Sequence, residues 1–190
     1  MRTVVIGGTF NPVHIGHLYL AEEVKQQLEY ERVIFVPSNI PAHKKMDGCT
    51  TPEVRLEMLH LATEANNIIV DDSEIRRGGI SYMIKTIDDL ESRYTVNGRI
   101  GMVIGDDLVG GLPKWKQWTA LQRKVDLIVA HRKRADKVDC PYPHEYIDNI
   151  ILPISSSGIR DRIKSGRAFR YLVPEPVYRY IVERGLYRGC

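Results

Sequence analysis

Two histidines three residues apart, His14 and His17, close the segment Gly7-Gly8-Thr9-Phe10-Asn11-Pro12-Val13-His14-Ile15-Gly16-His17. The glycine pair lets the backbone approach a ligand closely, and a helix starting beyond it offers unpaired N–H groups and the positive end of its dipole. In outline this is a phosphate cradle, although the same glycines serve equally well as a tight turn. It follows neither common template, since GxGxxG and GxxxxGK[ST] are both absent. A zinc site would need further ligands and normally the HExxH spacing, which is missing, so no metal ligand is assigned. Two imidazoles at a helix start suit a polyphosphate better, because their N–H donors can stabilise charge developing on a transferring phosphoryl group. Either histidine alone could still be a satisfied polar residue of a turn.

A second segment of the same character stands near the other end: Ile154-Ser155-Ser156-Ser157-Gly158-Ile159-Arg160. It reads as a strand running into a helix. The serines can cap that helix, and Arg160 supplies a planar fork matched to phosphate oxygens. Arg160, Arg162, Lys164, Arg167 and Arg170 form a local basic excess that suits phosphate-bearing ligands, or simply a solvated helix face. One ligand bridging both helix starts would explain why there are two.

The elements that must carry these residues follow from periodicity. Short β-branched runs at Thr3 to Ile6, Arg32 to Val36, Asn67 to Val70, Ile100 to Ile104, Leu127 to Ala130 and Asn149 to Leu152 read as buried strands. Helical patterns lie between them, at His17 to Gln27, Pro52 to Glu64, Ile80 to Glu91 and Trp115 to Gln122. Strict alternation predicts an α/β fold with a doubly wound parallel sheet, whose ligands bind at the carboxyl ends of the strands. Helices at Ser156 to Lys164 and Pro176 to Glu183, with a stop at Gly185, predict a helical C-terminal tail. The loops Pro37 to Thr51 and Arg132 to Asp148 are long for a compact domain, as functional loops often are.

Composition permits an enzyme without requiring one. The 190 residues are 43% apolar and 27% charged with a formal charge of +3, which fits one ordinary domain spanning 1–190 and argues against disorder. The apolar segment at Thr3 is too short for a signal peptide or a membrane span, so the cytoplasm is expected, with no membrane partner. Cys49, Cys140 and Cys190 are odd in number and lack a CxxC pair, and they read as reduced thiols outside the chemistry.

GGTFNPVHIGH and ISSSGIR together resemble the paired HxGH and ISSxxIR signatures of a nucleotidyltransferase superfamily built on a Rossmann-like sheet. Three further segments resemble the bacterial nicotinate mononucleotide adenylyltransferases within it. These are Pro37-Ser38-Asn39-Ile40-Pro41-Ala42-His43-Lys44, Gly79-Ile80-Ser81-Tyr82 through Thr86, and Ile104-Gly105-Asp106-Asp107 through Leu112-Pro113-Lys114-Trp115. The resemblance implies in-line attack by the phosphate of nicotinate mononucleotide on the α-phosphorus of ATP, giving nicotinate adenine dinucleotide and pyrophosphate in NAD biosynthesis. It implies that Gly8, Thr9, Phe10, Gly105 and Asp107 line the nucleotide site, that His14 and His17 contact ATP phosphates, and that Ser156 with Arg160 holds the β- and γ-phosphates. On the acceptor side it implies Asn39, His43, Lys44, Tyr82, Thr86, Leu112 and Trp115, with the Trp115 indole stacking on the pyridine. Mg²⁺ is expected to arrive with ATP, held through phosphate oxygens and waters.

From spacing alone Trp115 and Trp118 would be core, Asp107 a helix-terminal charge, and His43 with Lys44 exposed loop residues. Against the family pattern, Asn11 stands where many relatives carry Asp, Ala42 where a second Pro is usual, and Asp106 where a small residue is common. The nearest rival resemblance, to phosphopantetheine adenylyltransferases, does not account for the SYxxxT and LPxW segments. A nucleotide sensor is disfavoured by the intact His14, His17 and Arg160. Nucleic acid is not expected as a partner, because no basic surface interleaved with aromatics is evident.

Overall fold

The computed structural model describes residues 1–42, 50–64, 68–133 and 136–189. In chain order its elements are β1 (Thr3–Gly8), α1 (Ile15–Gln27), β2 (Arg32–Pro37), β3 (Ile40–Pro41), α2 (Pro52–Thr63), β4 (Ile69–Val70), α3 (Ser73–Arg77), β5 (Ile80–Ser81) and α4 (Met83–Arg93). There follow β6 (Ile100–Gly105), a 3₁₀ stretch Asp106–Lys114, α5 (Trp118–Lys124), β7 (Val125–Ala130), β8 (Glu145–Ile147), α6 (Ser156–Lys164), a short 3₁₀ turn Arg170–Leu172 and α7 (Glu175–Glu183). Six strands form one parallel sheet in the order β4-β2-β1-β6-β7-β8.

Successive strand side chains point to opposite faces, and the apolar runs use both. Val4, Ile6, Val33, Phe35, Val103 and Ile128 pack on one face among residues of α1, α2, α6 and α7. Val5, Ile34, Val36, Met102, Ile104, Leu127 and Val129 pack on the other, against α4, α5 and the long 3₁₀ stretch. The sheet is therefore buried on both sides, as a Rossmann-like doubly wound fold requires. Its order reverses between β1 and β6, so the crevice for a ligand opens beyond Gly8 and Gly105.

Three expectations from the sequence are corrected. Asn149–Leu152 is not a strand; the sixth strand is β8, inside the stretch expected to be loop. The buried Asn149 side chain accepts a hydrogen bond from the His131 N–H at 2.8 Å and donates to the His131 carbonyl at 2.9 Å, standing in for ladder bonds as the chain leaves the sheet. The segment before α6 is consequently coil, not a strand. The helix expected from Ile80 begins at Met83, because Ile80 and Ser81 pair in parallel with Ile40 and Pro41 in a separate two-stranded sheet. The helix expected from Trp115 begins at Trp118, after a left-handed Gln117 and a 3₁₀ stretch containing Pro113.

The helical tail stands as expected, and Gly185 beyond α7 has φ +60°. Cys140 is a free thiol, while Cys49 and Cys190 lie outside the described residues. Among the described residues no helix is long and apolar enough to cross a membrane.

Candidate active site

The loop from β1 to α1 is shaped by its own residues. Phe10 takes a left-handed backbone with φ +49°, and its ring folds back beneath Gly8, where an added Cβ would come within 3.0 Å of it. The ring then stacks on Phe35 and meets His17 edge-on, with centroids 5.2 and 4.9 Å away. Being 1% exposed, the Phe10 side chain is a floor under the loop, and only its backbone remains to line a ligand. The Asn11 side-chain oxygen accepts hydrogen bonds from the Thr50 and Tyr187 hydroxyls at 2.6 and 2.7 Å. Tyr187 was not foreseen.

His14 and His17 are brought together, their rings stacked with centroids 3.7 Å apart. His14 occupies the N-cap of α1, and its backbone N–H donates to His17 Nδ1 at 3.1 Å. Accepting there fixes the tautomer: the proton of a neutral His17 sits on Nε2, which is a donor. Gly16 makes the stack possible, since a Cβ there would press on the His14 ring at 3.1 Å. No acidic residue stands in the first turn of α1 or of α6, so both helix starts keep their positive ends for an incoming anion.

The His14 side chain is buried, and its Nδ1 has no hydrogen-bond partner among the described residues. Burial, and secondarily the charge on Arg132, lower its pKa from 6.5 to about 4. At neutral pH it is thus an uncharged imidazole. As pH falls below 6.5 the unfolded chain takes up a proton that the folded ring refuses, so stability present above that pH is lost on the way to about 4. The displacement corresponds to about 3 kcal/mol. Urea unfolding followed across this range should show a steeper loss for the parent than for His14→Gln, and parallel profiles would contradict the assignment.

The other signature folds against the first. Ser155 caps α6 by accepting from the Gly158 N–H at 3.1 Å. The Ser156 hydroxyl donates to the Pro12 carbonyl and the Arg160 Nη1 to the Asn11 carbonyl, both at 2.8 Å. Three other basic residues of the tail are held by neighbours: Arg162 donates to the Ala168 carbonyl, Arg167 to Ser165, and Arg170 pairs with Glu175.

At the end of β6, beyond Gly105, buried Asp106 accepts from the backbone N–H groups of Arg132 and Lys133. Asp107 pairs with the side chains of the same two residues at 3.2 and 3.6 Å. Asn39 donates from its backbone to the Ser81 hydroxyl and from its side chain to the Gly79 carbonyl, each at 2.9 Å. This pins β3 beside β5 and the start of α4. Tyr82 is half-buried there with the Lys116 ammonium 4.3 Å over its ring. Trp115 is half-buried and edge-on to the buried Trp118, with centroids 6.4 Å apart.

Two acceptor-side expectations change. Thr86 is fully buried, its hydroxyl donating to Glu74 and its N–H to the Tyr82 carbonyl, so neither group is open to a ligand. Leu112 is likewise 0% exposed, a core side chain. His43 and Lys44 lie outside the described residues. Sequence reasoning also passed over Arg55, whose guanidinium donates to the Thr9 and Asn39 carbonyls. A signal was present, since Arg55 falls on the apolar stripe Met58, Leu59 and Ala62 of α2, where a charge needs a reason.

The cytidylyltransferase-like family model matches residues 5–162. The chain is 44% identical over 188 residues to a probable nicotinate-nucleotide adenylyltransferase of Borrelia garinii subsp. bavariensis, covering 98% of this chain and 95% of that one. It is 37% identical to a protein of the same name from Treponema pallidum subsp. pallidum, with all of both chains covered. Its fold is similar to that of the Plasmodium falciparum nicotinic acid mononucleotide adenylyltransferase complexed with NaAD, with a TM-score of 0.75, 18% identity and 98% of each chain covered.

Proposed function

Since the chain belongs to the cytidylyltransferase-like family and, within it, to the nicotinate-nucleotide adenylyltransferases, we propose that its paired helix starts transfer the adenylyl group of ATP to nicotinate mononucleotide. The observation that carries this reading is the junction of the two signatures, Ser156 on Pro12 and Arg160 on Asn11, at the point where the strand order reverses. Residues 1–190 act as one nucleotidyltransferase domain, and we assign it to the cytoplasm.

In the reaction a phosphate oxygen of the mononucleotide forms a bond to the α-phosphorus of ATP. The bond from that phosphorus to the bridging oxygen breaks, and pyrophosphate leaves with the electron pair. The attacking phosphate is already an anion, so no general base is needed, and catalysis reduces to positioning and charge stabilisation. His17 donates a hydrogen bond from its Nε2–H to the transferring phosphate, and His14 is a neutral ring beside it. Arg160 with the α6 start, including Ser156, holds the departing phosphates. Gly8, Thr9 and the backbone of Phe10 line the nucleotide, with Gly105 and Asp107 on the ribose side.

Asn39, Tyr82 and Trp115, with His43 and Lys44, receive the mononucleotide. A divalent metal, Mg²⁺, enters as the ATP complex. We expect the ion to be carried on phosphate oxygens and waters.

A pyrophosphate-release assay with ATP and a panel of nicotinate mononucleotide, nicotinamide mononucleotide and phosphopantetheine tests the reading. Release only with phosphopantetheine, or with no acceptor, would overturn it. Trp115→Ala should weaken the mononucleotide by about 1 to 3 kcal/mol through lost stacking, leaving the KM for ATP unchanged. Equal loss for both substrates would make Trp115 a core residue like Trp118.

A further inference from the structure

Arg55 stands among the largest fully buried side chains, at 0% exposed, yet it carries a charge that neutral pH does not remove. Taking a guanidinium out of water is strongly unfavourable unless its N–H groups are met. Two are met by neutral carbonyls from two different segments, Nη1 donating to Thr9 at 2.8 Å and Nη2 to Asn39 at 3.0 Å, while the buried Nε–H has no partner among the described residues. Those segments leave neighbouring strands side by side, since Gly8 pairs with Pro37 in register and the Ser38 N–H donates to the Gly8 carbonyl at 2.8 Å. Beyond that bond they diverge, one into the cradle before α1 and the other into β3. The fork spans the divergence, and because it is planar and rigid it fixes the gap between its two acceptors.

We propose that Arg55 is a positioning residue that sets the separation of the two substrate half-sites, with the triphosphate on the Thr9 side and the mononucleotide on the Asn39 side. The proposal rests on the adenylyl-transfer reading above. In-line attack needs the incoming oxygen and the α-phosphorus about 3 to 3.5 Å apart, and a misplacement of about 1 Å lowers the rate about a hundredfold. A strut between the half-sites acts on that distance while leaving each substrate's own contacts intact.

The test uses Arg55→Met, which removes both donors, and Arg55→Lys, which keeps the charge and serves where the first variant does not fold. In the full chain we expect kcat to fall about a hundredfold while both KM values stay close to the parent's. Amide hydrogen exchange should accelerate together at residues 8–11 and 38–39. A folded variant with parental kcat, or one in which a single segment alone loses protection, overturns the proposal. If the parent itself releases no pyrophosphate with any pyridine mononucleotide, the transfer reading fails instead. Joint loss of protection would then still support the strut, and its absence would still remove it.

Discussion

Replacing His17 with Ala should lower kcat about a hundred- to a thousandfold, the usual cost of removing one donor aimed at charge that develops in the transition state. Binding of ATP should change far less, because ground-state phosphates keep the helix start and Arg160. The geometry makes the prediction sharper than the motif did. His17 Nδ1 is committed to the His14 N–H, so the substitution removes a cap as well as a donor. His17→Gln separates the two losses, since Gln at the third helical position can reach back to the same N–H. We expect that variant to recover thermal stability but not turnover. Recovery of both would reduce His17 to a capping residue, and steady-state kinetics beside a melting curve decides between them.

The second large effect concerns the acceptor. We expect kcat/KM for nicotinate mononucleotide to exceed that for the nicotinamide form by about a hundredfold or more, a range open to sites built on hydrogen bonds. The Thr86 hydroxyl is spent on Glu74, and the Ser81 hydroxyl bonds the same carboxyl. Burial raises the pKa of Glu74, with those two hydroxyls acting in the opposite direction. Each oxygen also accepts within the protein, Thr86 from the Arg77 guanidinium and Ser81 from the Asn39 N–H at 2.9 Å, so both hydroxyls are engaged as donor and acceptor. For the pyridine substituent we expect backbone N–H groups further along the Asp106–Lys114 stretch. N–H groups donate and cannot accept, so both oxygens of a carboxylate are met while the NH₂ of an amide is left facing donors. Comparable efficiencies with the two mononucleotides would refute the selectivity without touching adenylyl transfer.

The sheet and both signatures were legible because they rest on local rules. β-branched runs give buried strands, and glycine and serine beside a strand or helix end give loops and caps. What escaped was set by distant partners. Asn149–Leu152 has the composition of a strand, yet the Asn149 side chain bonds His131 in place of a neighbouring backbone. Thr86 looked like a ligand donor because its motif placed it near the acceptor, whereas Glu74, twelve residues earlier, turns its hydroxyl inward. Phe10 and Leu112 belong to the matched motifs, but the core absorbs their side chains. Arg55 and Tyr187 belong to no motif, and only the folded chain brings them to the cradle.

The bond from Tyr187 to Asn11 has a consequence for how the protein is made. It joins residues 176 positions apart, and the tyrosine that completes it is 2% exposed. The cradle leaves the ribosome well before the hydroxyl that steadies it, which is made 176 positions later. Early segments of a chain can fold during synthesis, but a contact of this span waits until both ends exist. On a nascent chain the loop before α1 therefore lacks this bond until Tyr187 has been made and has docked against it.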